Sequence, residues 1–161
     1  MKIGIISDTH ENMPLIAKAV EIFNNEKTEL VLHAGDIISP ITFKEFKNLK
    51  CKMIAVYGNN DGEKKFLSEK FSQIGEIHTR YYETEIEGKK ILLIHEPDLL
   101  EPIIASQKYD VIVYGHTHKL DIRTEGKTLV LNPGECGGWL TGRSTIAILE
   151  LPSKKVTVLD L

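Results

Sequence analysis

Lys2-Ile3-Gly4-Ile5-Ile6-Ser7 runs without a break into Asp8-Thr9-His10. A short apolar run of this kind reads as a buried strand, and this one stops in two side chains that bind metals. The same design recurs four times. Glu29–Gly35 (ELVLHAG) leads to Asp36, and Met53–Gly58 (MIAVYG) leads to Asn59-Asn60-Asp61. Lys89–Ile94 (KKILLI) leads to His95, and Asp110–Gly115 (DVIVYG) leads to His116-Thr117-His118. Ligands of α/β sheets bind outside the carboxyl ends of the strands, so polar clusters at five strand ends point to one site. Gly35, Gly58 and Gly115 precede three of these clusters, and glycine lets a strand stop abruptly and present its next side chain.

Helical patterns fill the gaps between the first strands. Pro14–Asn24 carries Leu15, Ile16, Ala19, Val20, Ile22 and Phe23 at helical spacing, with a proline suited to the first turn. Ser39-Pro40 reads as an N-cap and first-turn proline opening a helix to Asn48, and Glu63–Phe71 as a third helix. Strands are expected over Lys2–Ile6, Glu29–Leu32 and Lys52–Tyr57. The pattern then changes. Arg80–Glu87 and Lys89–His95 flank Glu87-Gly88 and predict a hairpin. Asp98 reads as the cap of a helix over Leu99–Gln107, with His78 in a solvated loop. Val111–Tyr114, Leu120–Thr124, Thr128–Leu131, Ser144–Leu149 and Val156–Leu161 read as further strands. Alternation followed by hairpins implies a four-layer α/β sandwich, two mixed β-sheets flanked by helices, in one domain over residues 1–161.

Composition excludes several classes. The 161 residues hold 20 Lys plus Arg against 23 Asp plus Glu, a formal net charge of −3, so tight electrostatic binding of nucleic acid is not expected. No apolar run approaches the roughly 20 residues of a membrane span. The apolar run in MKIGIISDTH is too short for a signal peptide. Cys51 and Cys136 read as reduced thiols, and a cytoplasmic location is expected. Homo-oligomerisation is left open, since most soluble oligomers are symmetric homo-oligomers.

Asp8, His10, Asp36, Asn59, His95, His116 and His118 supply only oxygen and nitrogen donors. Seven donors exceed the needs of one four-coordinate zinc. They suit two ions about 3.5–4 Å apart sharing a carboxylate. A mix of carboxylate, amide and imidazole favours transition metals (Mn first, with Ni, Fe, Co or Zn as alternatives) over Mg or Ca.

The ordered set Asp8-x-His10, Gly35-Asp36, Gly58-Asn59-Asn60-Asp61, His95 and Gly115-His116-x-His118 resembles the signature of the calcineurin-like metallophosphoesterase superfamily. The late Asn132-Pro133-Gly134 turn is similar to that of its small, single-domain YfcE-like phosphodiesterase branch. The resemblance spans essentially the whole chain. It implies Asp8, His10, Asp36 and His118 at one metal and Asp36, Asn59, His95 and His116 at the other, with Asp36 bridging. It also implies a phosphodiesterase that attacks small phosphodiesters with a hydroxide bridging two divalent metals. A phosphomonoesterase or nucleotidase on the same site is the alternative, as is a catalytically weak scaffold, for which the retromer subunit of the superfamily is a precedent.

Asn60 and Asp61 are the candidate catalytic and positioning groups. Many relatives carry His where Asn60 stands, and an amide hydrogen-bonds but cannot give up a proton at neutral pH. Slow turnover of esters with alkoxide-like leaving groups is therefore expected. His95-Glu96-Pro97 departs from a His-Gly pattern, leaving Glu96 either in solvent or beside the cleft. His33 is expected to be buried and hydrogen-bonded behind the site. Trp139 and Leu140 are expected to line a pocket or meet a second subunit. Arg80, Arg123 and Arg143 stand apart from the motifs in sequence, which favours diesters over monoesters with their extra charge.

Overall fold

A computed structural model describes the protein over residues 1–161. The apolar runs fold as strands of two mixed sheets. The first sheet contains β1 (Lys2–Ile6), β2 (Leu30–His33), β3 (Lys52–Val56) and β4 (Gly75–His78), all parallel, and is completed by β10 (Thr145–Glu150) and β11 (Lys155–Asp160). Its order is β11-β10-β1-β2-β3-β4. The second holds β5 (Tyr81–Ile86), β6 (Lys89–Ile94), β7 (Val111–Val113), β8 (Leu120–Glu125) and β9 (Thr128–Pro133) in the order β5-β6-β7-β9-β8. Here β6 and β7 are parallel, whereas β5 with β6 forms the expected antiparallel hairpin.

Helices cover the outer faces. α1 (Met13–Asn25), α2 (Phe43–Phe46) and α3 (Lys64–Phe71) lie on the first sheet, where Phe23, Phe46 and Phe71 pack with Val31 and Met53. α4 (Leu100–Ala105) covers the second sheet through Leu100 and Ile104 against Leu92, Ile112 and Val130. Between the sheets lies a third apolar layer containing Ile3, Ile5, Leu32, Leu93, Val113 and Leu131. Sheet residues with even and odd numbers point to opposite faces, so a strand buried on both sides reads as an unbroken apolar run. The result is the four-layer α/β sandwich. Burying each of these large side chains contributes roughly 1.5–3 kcal/mol.

Local expectations need correction in three places. β4 was not legible, and His78 ends it rather than lying in a solvated loop: it pairs with Val56, and its ring packs on Tyr82 at 4.5 Å between centroids. Asp98 caps nothing, because the Leu100 N–H is taken by the Pro97 carbonyl at 2.9 Å and the helix spans only Leu100–Ala105. Ser39 contributes its carbonyl rather than its hydroxyl, accepting from the Thr42 hydroxyl at 2.7 Å. The expected helix there is a 3-10 turn over Pro40–Thr42 followed by the single turn of α2.

Candidate metal centre

β1, β2 and β3 of one sheet and β6 and β7 of the other end at the same side of the sandwich. Their following residues meet at the seam between the sheets. The backbone there is tied across strands: Asp8 N–H donates to Gly35 O at 3.0 Å, His10 N–H to Asp36 O at 3.1 Å, and Gly115 N–H to His95 O at 3.1 Å. Asp8, His10, Asp36, His116 and His118 all have φ between 41° and 68°. Such left-handed conformations cost non-glycine residues of order 1–3 kcal/mol each and cluster at functional sites. Close approach explains two of the glycines. A Cβ on Gly58 would collide with Asp36 Oδ1, and one on Gly115 with the Ser7 hydroxyl.

Asp8, His10, Asp36 and His118 each present a ligand atom within 4.8 Å of the others. His118 Nε2 lies 3.5 Å from Asp8 Oδ1, and His10 Nε2 lies 3.4 Å from Asp36 Oδ2. On the other flank, Asn59 Oδ1 lies 2.9 Å from both His95 Nε2 and His116 Nδ1. Asp36 Oδ2 stands between the two groups, 3.5 Å from His95 Nε2. All seven sequence-predicted donors therefore meet in one place.

The donors fit a cation. Asp8 and Asp36 are almost fully buried with no Lys or Arg beside them. Buried carboxylates are normally paired with a cation or bound to a metal. His10 Nε2 is shut off from solvent and makes no hydrogen bond. Burial pushes the Asp8 carboxyl above its ordinary value, against the pull of the Ser7 hydroxyl and the imidazoles of His95 and His118.

Behind these donors stands a set of polar groups that orient them. His95 Nδ1 lies 2.6 Å from Ala34 O, which fixes the ring with Nε2 facing the centre. Asp61 is buried and accepts from three backbone N–H groups: Gly58 and Ile38 at 2.6 Å each and Asp36 at 3.1 Å. It thus joins the Asp36 loop to the Asn59 loop and does not face the donors. Asn60 holds Asp36 through its N–H (2.9 Å to Oδ1) and its side-chain amide (2.8 Å to Oδ2). His33 is fully buried, as expected. Its Nδ1 accepts from Gly35 N–H at 3.1 Å and its Nε2 lies 3.2 Å from the Thr9 hydroxyl. Burial, aided by the charge of His95, pushes the His33 pKa down to about 3.

Sequence reasoning missed Glu135. Its buried carboxylate lies 2.9 Å from His118 Nδ1 and accepts from the Leu140 N–H at 3.0 Å and the Thr141 hydroxyl at 2.6 Å. Burial alone would raise this carboxyl, but the bonds from Thr141 and His118 win and hold it below its ordinary value. Asn132 was likewise assigned no role. Its amide donates to Gly115 O and to the Thr117 hydroxyl at 3.0 and 3.1 Å, steadying the His116-His118 loop. Trp139 lies at the rim, two-thirds exposed, with its indole N–H donating to His10 O at 3.2 Å. Cys136 is buried and its thiol is pushed up by desolvation, which leaves it inert.

A cleft of about 580 Å³ opens from Asn59 and His95. Glu96 lies along this cleft rather than away from it. So does Arg80, which stands apart from the motifs only in sequence.

Comparisons with known proteins show the family and the fold. Residues 1–154 match the family model of the calcineurin-like phosphoesterase superfamily domain. The phosphodiesterase MJ0936 of Methanocaldococcus jannaschii is 47% identical over 159 residues, covering 96% of each chain. A solved structure described as a novel archaeal phosphodiesterase superposes with a TM-score of 0.95 at 45% identity, covering 100% of both chains. The zinc complex of Vps29 from Entamoeba histolytica, at 21% identity and TM-score 0.75, covers 99% of this chain and 91% of its own, and shares the fold.

Proposed function

The chain belongs to the calcineurin-like phosphoesterase superfamily, and from that premise we propose that it is a dinuclear metal-dependent phosphodiesterase acting on small phosphodiesters. The observation that carries this reading is Asp36, whose Oδ2 lies within 3.5 Å of His10 on one flank and of His95 on the other. A carboxylate between two donor groups suits two ions that share it. Asp8, His10, Asp36 and His118 would hold one ion, and Asp36, Asn59, His95 and His116 the other. The mixed donors favour Mn, with Ni, Fe, Co or Zn as alternatives. When bound, such ions lower the pKa of water to about 7 and offset charge on phosphoryl oxygens.

The chain's own residues do the rest. Asp61 and Asn60 fix Asp36, Glu135 fixes His118, and Ala34 O fixes His95, so the donors need little reorganisation. Hydrolysis adds the oxygen of water to phosphorus, breaks one ester P–O bond and leaves a phosphate monoester and an alcohol. No imidazole stands at residue 60 to protonate the departing oxygen, so good leaving groups are favoured. That MJ0936 is named a phosphodiesterase supports a diester as substrate.

One observation favours a second reading, a phosphomonoesterase. Arg80 beside the centre could meet the extra charge of a monoester. The deciding experiment is hydrolysis of bis-p-nitrophenyl phosphate beside p-nitrophenyl phosphate, on metal-stripped protein reloaded with Mn²⁺, Ni²⁺ or Mg²⁺. Turnover of the diester that needs metal and is lost in Asp36→Asn is expected. Preference for the monoester would move the assignment to phosphatase. No turnover with any metal would leave a scaffold.

A further inference from the structure

The three arginines differ in their commitments. Arg123 is held by Asp121, Glu125 and Glu101, and Arg143 by Asp160 at 2.7 Å. Arg80 enters no ion pair, and it lines the cleft that opens from Asn59 and His95. The strand register explains its position. Tyr81 pairs with Ile94 at the end of the β5–β6 ladder, so Arg80 and His95 are the next residues on each side. On the first sheet Val56 pairs with His78, and Tyr57 N–H donates to His78 O at 2.9 Å. The link from His78 to Tyr81 therefore crosses between the sheets beside the candidate metal centre, and it carries a free guanidinium with it.

Lys64 lines the same cleft, with its ammonium 5.2 Å from the centre of the Tyr57 ring and no carboxylate partner. Tyr57 and Tyr81 add aromatic surface. Glu83 is bound to Lys108 and the Tyr109 hydroxyl, and neither Glu96 nor Asp98 forms an ion pair with Arg80 or Lys64. A cleft of about 580 Å³ falls in the range of small-molecule sites, roughly 300–1,000 Å³. Its volume exceeds what a simple dialkyl phosphate would occupy. A guanidinium fork and an ammonium together match a phosphate dianion, and tyrosine rings accept the flat face of any base.

We propose that Arg80 and Lys64 form a second anion subsite, selecting short phosphodiesters whose substituent over Tyr57 and Tyr81 carries a terminal phosphate. A 5′-phosphorylated dinucleotide is the simplest such substrate. The inference rests on the phosphodiesterase reading and names its substrate class.

The test compares pApA, ApA and bis-p-nitrophenyl phosphate on the Mn²⁺-loaded protein, with Arg80→Gln and Lys64→Gln. Wild type is expected to favour pApA over ApA by about tenfold in kcat/KM, mainly through KM, and Arg80→Gln to abolish that preference. Equal kcat/KM for pApA and ApA would overturn the subsite. So would an Arg80→Gln variant that lowers both by the same factor, since a merely structural arginine would do that. A second readout avoids catalysis. Calorimetric titration of the metal-free protein is expected to show pApA binding about tenfold tighter than ApA, with the difference lost in Arg80→Gln. Equal binding would overturn the subsite. Failure of the phosphodiesterase reading looks different, as no turnover of bis-p-nitrophenyl phosphate with any metal, and the titration still judges the subsite.

Discussion

The carboxylate of Glu135 lies 2.9 Å from Nδ1 of His118, on the side of the ring away from Asp8. It leaves Nε2 as the free nitrogen facing the centre. Partners of this kind typically affect metal affinity by 10–100-fold, so Glu135→Gln is expected to weaken Mn²⁺ binding by about that factor. Glu135→Ala should also lower stability, by about 0.5–1.5 kcal/mol for each hydrogen bond lost from Leu140 and Thr141. Calorimetric titration and urea unfolding measure the two effects. Wild-type Mn²⁺ affinity in Glu135→Gln would remove the orienting role.

Asn60 braces Asp36 but cannot donate a proton to a leaving group. Asn60→His is therefore expected to raise turnover of an alkyl phosphodiester, toward the roughly 10²–10⁴-fold that general acid catalysis contributes. Bis-p-nitrophenyl phosphate, whose leaving group needs no proton, should change little. An unchanged alkyl rate would confine Asn60 to its hold on Asp36.

Gly58→Ala should abolish metal binding and cost at least about 1–3 kcal/mol, because the added Cβ meets Asp36 Oδ1. Gly88→Ala provides the contrast. That glycine has φ +69° and open space around it, so the change should cost only about 1–2 kcal/mol and leave metal binding intact. Thermal unfolding and Mn²⁺ titration of both variants separate steric collision from backbone strain.

Protonation of His33 would remove the acceptor for Gly35 N–H and place a charge in the core. Its pKa falls from 6.5 unfolded to about 3 folded, so the unfolded chain binds the proton more readily. Stability from this group is complete above about pH 6.5 and is lost as pH falls toward 3, at up to about 1.4 kcal/mol per pH unit. Urea unfolding of the metal-free protein between pH 7 and 5 should show this slope. A His33→Gln variant should flatten it, and an equal slope in both proteins would rule out His33 as its source.

Metal loading should stabilise the fold. At one hundred times Kd a ligand adds about 2.7 kcal/mol, which for a chain of this size raises Tm by roughly 5–10 °C. Mn²⁺ should produce that rise, a chelator should reverse it, and Asp36→Asn should show neither.

The seven donors were legible because each ends an apolar run, and three sit behind glycines whose side of the chain touches Asp36, His95 or Ser7. Strand type was legible for the same reason. β4 was not, since Gly75-Glu76-Ile77-His78 has neither alternation nor an apolar run and is ordered by pairing with β3. Glu135 reaches His118 across 17 positions of sequence, and Arg80 reaches the cleft only because two sheets meet beside it. Local patterns carry no record of such contacts. Helix starts failed where backbone carbonyls of Ser39 and Pro97 took over from the capping side chains.

Asp8, Asp36 and Asn59 follow strands of one sheet, while His95, His116 and His118 follow strands of the other. An ion held by both sets is a rivet through the sandwich. Prising the layers apart and emptying the centre then become one event. The time the protein survives between unfoldings should lengthen with the metal content of its surroundings, making lifetime itself a gauge of metal supply.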